Sequence, residues 1–243
     1  MTRLTILLDL GGTVTDKRQQ TEQWHSLIGE YFAPLFGRTR QEWNTAHRTV
    51  TERLLDQGDA LQQATPDFIT FHHTYNCYWL SGMCELLGLP IPAEEACIAL
   101  ADQAIASISS RIQAALPGAV EAIQTLHSQG YLLHTASGSV SFEIAGYLEA
   151  VGIRPYFGRC YGADLINTFK QGPAYFERLI ADLGLRPAEA LVVDDGADVL
   201  SWAAQVGART VLVNTPSHPE KTTTACIGSL AELPAWLQQQ TLC

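Results

Sequence analysis

Lysine is scarce in this chain: Lys17, Lys170 and Lys221 are the only ones in 243 residues, and the formal net charge is -10. No Lys/Arg cluster occurs, so neither nucleic acid nor an anionic membrane surface fits as the main partner, since both reward a basic patch. An anionic small molecule would meet a repulsive overall field, and its binding would depend on local cations or a bound metal. The six cysteines, Cys77, Cys84, Cys97, Cys160, Cys226 and Cys243, form no C-x-x-C pair and have no histidine at zinc-ligand spacing. Reduced thiols, mostly buried, are therefore expected. Eighteen apolar residues never run together, and no basic region leads into an apolar stretch with a cleavage site near the start, which makes a cytoplasmic protein the expectation. Internal repeats and low-complexity linkers are missing too. What remains, 47% hydrophobic and 16% charged residues, suits a folded chain long enough for a large core.

The chain changes character twice. Residues 3–9 are apolar and rich in β-formers, reading as a buried strand. From 17 to 116, helical spacing recurs in four blocks. Trp24, Leu27, Ile28, Tyr31 and Phe32 form the first, with Pro34 and Gly37 ending it. Trp43, Ala46, Val50, Leu54 and Leu55 form the second. A third runs from Pro66, after a Thr65 cap, through Phe68, Phe71, Tyr75, Tyr78, Trp79, Met83 and Leu86 to Gly88; a fourth follows Pro92 to Arg111. Beyond Pro117-Gly118 the pattern alternates: helix 119–129, strand 131–136, helix 140–150, strand 158–161, helix 173–183, strand 190–194, helix 198–206, strand 209–213, and a short helix over 230–237. The fold class is therefore α/β, a Rossmann-like parallel sheet core formed by 1–16 and 117–243 with a helical domain, 17–116, inserted after the first strand.

In open parallel sheets, ligands sit beyond the carboxyl ends of the strands, and reactive residues recur there. The first strand stops at Asp9, followed by Leu10-Gly11-Gly12-Thr13-Val14-Thr15-Asp16. A second ends in Thr135-Ala136-Ser137-Gly138-Ser139, and another in Asp194-Asp195-Gly196-Ala197-Asp198, with Lys170 preceding Gln171-Gly172-Pro173-Ala174-Tyr175-Phe176 between them. Alone, each is ordinary: a hydroxyl cluster caps a helix, an Asp pair closes a turn, a lysine lies on the surface. Four in this order at element ends make a site.

The order resembles the four motifs of the haloacid dehalogenase (HAD) superfamily, over the whole chain: Asp9 as motif one, Thr135 or Ser137 as motif two, Lys170 as motif three, Asp194-Asp195 as motif four. The helical block then resembles that family's C1-type cap. The resemblance implies that Asp9 attacks phosphorus in line and that water hydrolyses the resulting aspartyl-phosphate. It implies Mg²⁺ held by Asp9, the Gly11 carbonyl and Asp195 or Asp194. Phosphoryl oxygens would be met by the hydroxyl of Thr135 or Ser137 and by the loops at Gly12, Thr13 and Gly138, while Lys170 balances charge and orients Asp9. A Mg²⁺-dependent phosphohydrolase for a small-molecule phosphorylated substrate is the expectation, its cap hinged at 15–18 and 116–118.

Gly11 departs from the family's Asp-x-Asp-Gly-Thr, where the second aspartate protonates the leaving group and later activates water. Such help is worth about 10²- to 10⁴-fold. The enzyme would then be restricted to good leaving groups or take an acid from the cap, with His47, His72 and His73 as candidates. A phosphonatase needs a cap lysine, and none lies between Lys17 and Lys170. A 2-haloacid dehalogenase, using Arg38 or Arg40 for the carboxylate or halide, is the alternative, though clustered carboxylates without a cation argue against it. A degenerate relative that binds a phosphorylated ligand or a partner without turnover is the non-enzymatic one.

Overall fold

The computed structural model describes residues 4–213 and 225–241; Arg3, Lys221 and Cys243 lie outside the described residues. The chain divides into two compact units, Met1–Lys17 with Gln113–Cys243, and Arg18–Ile112.

The first unit is built on β1 (Thr5–Leu8), β2 (Leu132–Ala136), β3 (Phe157–Tyr161), β4 (Ala190–Asp194), β5 (Arg209–Val213) and β6 (Ala225–Ile227). They form one sheet in the order β3-β2-β1-β4-β5-β6, every neighbouring pair parallel. The central strands are apolar on both faces because helices cover both, and all of β1 and β4 is buried. Each such side chain taken from water contributes roughly 1.5–3 kcal/mol. Leu8 pairs with Thr135 on one side and Val193 on the other, so β1, β2 and β4 end level with one another. Strand β6 was not expected. It has three residues, two of them exposed, and too few apolar positions to stand out.

The helical unit holds most of α1 (Lys17–Phe36), then α2 (Arg40–Ala64), α3 (Phe68–Leu86) and α4 (Glu94–Ser109); α5 (Ala119–Ser128), α6 (Ser141–Ala150), α7 (Pro173–Asp182), α8 (Ala197–Gln205) and α9 (Leu233–Thr241) belong to the sheet unit. Phe32 stacks on Trp43 at 4.9 Å between ring centres and meets Trp79 edge-on, and the Trp43 indole donates to the Gly37 carbonyl. Gly29 lets α1 approach α2: a Cβ there would lie 2.2 Å from the Arg40 carbonyl oxygen.

Three local expectations are corrected. Helix α1 passes through Pro34 and ends at Gly37, whose φ is 74° and whose N–H reaches Ala33 O; a proline in the last turn removes one bond without ending the helix. Thr65 terminates α2 instead of capping α3, because the residue before Pro66 is pushed into the extended region, and Asp67 takes the cap by accepting from Thr70 N at 2.9 Å. Leu55 is 75% exposed, one residue round the helix from buried Leu54. No helix among the described residues is long and apolar enough to cross a membrane.

Candidate active site

Strand β1 delivers Asp9 beyond its last pair, where the Asp9 N–H still donates to Val193 O at 2.9 Å. The chain then folds back on itself: the N–H groups of Val14 and Thr15 and the Thr15 hydroxyl all point at Leu10 O, and Gly12 N–H donates to Thr15 O at 2.7 Å. Gly12 has a φ of 87°, a conformation that favours glycine, and a Cβ on it would lie 2.0 Å from Asp195 Oδ2, so any other residue would displace that carboxylate.

Lys170, from the loop before α7, donates to Asp9 Oδ1 and Asp194 Oδ2, each at 2.6 Å, with all three side chains nearly excluded from solvent. Burial pushes the Asp9 carboxyl up to about 6 against the pull of Lys170, with Asp194 and Asp195 adding to the rise. It is ionised for the most part at neutral pH. Burial works against the Lys170 ammonium, but Asp9 and Asp194 outweigh it and hold the group charged well above its ordinary range. Asp194 is spent on structure: its other oxygen accepts from Gly196 N at 2.8 Å. Asp195 receives Lys17 Nζ on its Oδ2 at 2.7 Å.

Oxygens of Asp9, Asp194 and Asp195 come within 4.8 Å of one another. An all-carboxylate set of this kind suits a hard cation such as Mg²⁺ and no soft metal.

The two hydroxyls left open for motif two differ in what they do. Thr135 is buried and its hydroxyl donates to Tyr161 O at 3.0 Å, the same carbonyl that accepts from Ser137 N. The Ser137 Oγ accepts from Ser139 N at 3.3 Å, which leaves its own proton to donate. Its carbonyl is pinned by the Tyr175 hydroxyl at 2.9 Å.

Residues 4–207 match the family model described as haloacid dehalogenase-like hydrolase. The chain belongs to this family of hydrolases. It is 32% identical over 102 residues to the "Probable phosphatase IndB" of Dickeya dadantii (strain 3937), covering 42% of this chain and 44% of that protein. It is 28% identical over 105 residues to (S)-2-haloacid dehalogenase 4A of Burkholderia cepacia, covering 43% and 46%. These matches span about half the length of the relatives or less. Among solved structures it is similar to the defluorinating L-2-haloacid dehalogenase Rha0230, at a TM-score of 0.65, 16% identity and 97% and 95% coverage. The HAD phosphatase from Thermococcus onnurineus gives 0.62, 20%, 96% and 97%. At these identities the structures share the fold.

Of the residues expected to form the HAD site, Asp9, Lys170, Asp194 and Asp195 meet, and a Cβ on Gly138 would lie 3.7 Å from Lys170 Cβ. Gly12 spends its N–H inside the loop, and Thr13 buries its hydroxyl with no partner among the described residues, so neither offers that group outward. Three of the five side chains considered as cap acids or halide binders have polar commitments within the helical unit. His47 Nδ1 lies 3.0 Å from His25 Nδ1, His72 Nε2 lies 2.9 Å from Asp102 Oδ1, and Arg40 sits 3.6 Å from Glu30. Two residues were missed. Tyr175 had a signal, as the aromatic after Lys170-x-x-Pro173; Lys17 had only its rarity, because its partner lies 178 residues away.

Proposed function

We propose that this HAD hydrolase is a Mg²⁺-dependent phosphohydrolase acting on a small organic phosphate through an aspartyl-phosphate on Asp9. The observation that supports it most is the convergence of Asp9, Asp194 and Asp195 within 4.8 Å. Even with Lys170 and Lys17 paired to it, the cluster keeps one more carboxylate than ammonium, which is poorly suited to an anionic substrate without a further cation. Asp9, the Gly11 carbonyl and Asp195 are the groups that would hold Mg²⁺, since Asp194 already serves Lys170 and Gly196. When bound, the ion would neutralise the phosphoryl oxygens facing Asp9.

Lys170 holds Asp9 Oδ1 and so turns the other carboxylate oxygen toward phosphorus. That oxygen forms the new P–O bond as the ester P–O bond breaks; water then attacks phosphorus, releasing inorganic phosphate and restoring Asp9. Ser137, its backbone pinned by Tyr175, donates its hydroxyl to a phosphoryl oxygen. Thr135 holds the end of β2 against β3. Gly11 supplies no acid, so the leaving oxygen departs without help from the loop, and aryl or acyl phosphates are favoured over alkyl esters. The helical unit is proposed to act as the cap that selects the substrate.

A panel of aryl, acyl and alkyl phosphates and 2-haloacids, each with Mg²⁺ or EDTA, tests this. Phosphate release from the first two classes, lost in EDTA, is expected. Halide release in EDTA without phosphate release on any ester would replace the reading with that of a haloacid dehalogenase, the activity named in several of the similar structures.

A further inference from the structure

Lys17 is the first residue of α1, directly after Asp16, whose N–H donates to Ala114 O at 2.8 Å. Its side chain runs back over the loop that follows Asp9. A Cβ on Gly11 would lie 3.0 Å from Lys17 Cε and 3.2 Å from its Cγ, and a Cβ on Gly12 would lie 3.1 Å from its Nζ. The ammonium ends 2.7 Å from Asp195 Oδ2. The lysine stem thus lies against the place where a second motif-one aspartate would begin, and a side chain there would crowd it. The missing carboxylate and the position of the lysine are two halves of one arrangement: a negative group is absent and a positive one covers the gap.

We propose that Lys17 is a tethered counter-ion of the acidic cluster that competes with a divalent cation for Asp195. With Lys17 and Lys170 both in place, three carboxylates face two ammonium groups, and the cluster is close to balance with protein charges alone. A cation ligated by Asp195 must displace the ammonium from that oxygen or share it, so Lys17 weakens cation binding and sets the concentration at which the site fills. Such a device explains how the site tolerates three clustered carboxylates before any metal arrives. The proposal rests on the cation-binding part of the proposed function.

The test is Mn²⁺ binding to the full chain, read from the free-Mn²⁺ electron paramagnetic resonance signal, for the natural protein and for Lys17→Met, Lys17→Arg and Asp195→Asn. Lys17 exposes 64% of its side chain, so these variants are expected to fold, and circular dichroism with thermal melting checks that they do. Lys17→Met should bind Mn²⁺ roughly tenfold more tightly, about the effect of removing one nearby positive charge in a partly solvated site. Lys17→Arg should keep the natural affinity and Asp195→Asn should lose most of it. Equal or weaker binding by Lys17→Met, with Asp195→Asn still impaired, overturns the role of Lys17 and leaves the cation reading standing. No uptake by the natural protein or by Lys17→Met overturns both.

Discussion

The two units of this chain bury polar groups in opposite ways. In the sheet unit, Asp9 and Asp194 are buried around Lys170, whose ammonium lies 2.6 Å from each carboxylate. In the helical unit the deeply buried polar groups are neutral. Asn76, 1% exposed, donates to Asp102, and His47 shares a ring-nitrogen contact with His25 beside Trp79. Burial first, then His25 and Arg48, drive the His47 imidazole down to about 3, so it stays uncharged across the physiological range. A buried ion pair is a poor source of net stability, because desolvation offsets most of the attraction. Retaining one at the ends of β1 and β4 makes sense where the charges themselves do the work, whereas the buried polar groups of the helical unit have only to pack.

The comparison can be broken first at Asp9. Asp9→Asn keeps the size of the side chain and the Lys170–Asp194 pair, so the melting temperature should not fall, while turnover drops by roughly 10⁴-fold or more, as when other nucleophiles are removed. Unchanged turnover would mean that the nucleophile is elsewhere. Lys170→Met attacks the same cluster from the other side. It leaves two carboxylates facing each other without their shared cation, and urea denaturation should show a loss of about 3–5 kcal/mol. A loss below 1 kcal/mol would show that the carboxylates are not charged when buried.

A finer cut separates the two hydroxyls of β2. Ser137→Ala should lower kcat by about 10²-fold with little effect on melting, as expected for a donor to developing charge. Thr135→Val should do the reverse, costing about 1 kcal/mol of stability for the lost bond to Tyr161 O and little rate. The opposite pattern would exchange their roles.

The last cut is in the helical unit. Unfolded, His47 takes up a proton near 6.5, but folded only near 3. Between those values the unfolded chain binds the extra proton, so this contribution is complete above pH 6.5 and shrinks as pH falls, by at most about 1.4 kcal/mol per pH unit. His47→Leu should flatten the fall in stability between pH 6 and 4, followed by tryptophan fluorescence in urea. An unchanged slope would place the acid sensitivity elsewhere.

Much of this was legible in the residues. Apolar runs ending at Asp9 and Val193 mark strands buried on both faces, and the helix-strand alternation after Pro117-Gly118 permits little except a parallel sheet. Short or weak signals were lost: β6 is three residues long, and Thr65 was read as the start of a helix when Pro66 makes it the end of one. At the site, the order of motifs along the chain is written in local patterns. The choice between Thr135 and Ser137 is not, because two hydroxyls two residues apart look alike until Tyr161 O, 26 residues away, takes one of them. Lys17 was invisible for the same reason, since nothing local joins it to Asp195.

The most direct measurement is the mass of the Asp9 peptide after acid quench during turnover, with an acyl phosphate and Mg²⁺ in one sample and a 2-haloacid in the other. The account predicts a phosphoryl group on Asp9 in the first sample and no adduct in the second. An ester of the haloacid carbon skeleton on Asp9, with no phosphoryl adduct, would contradict it.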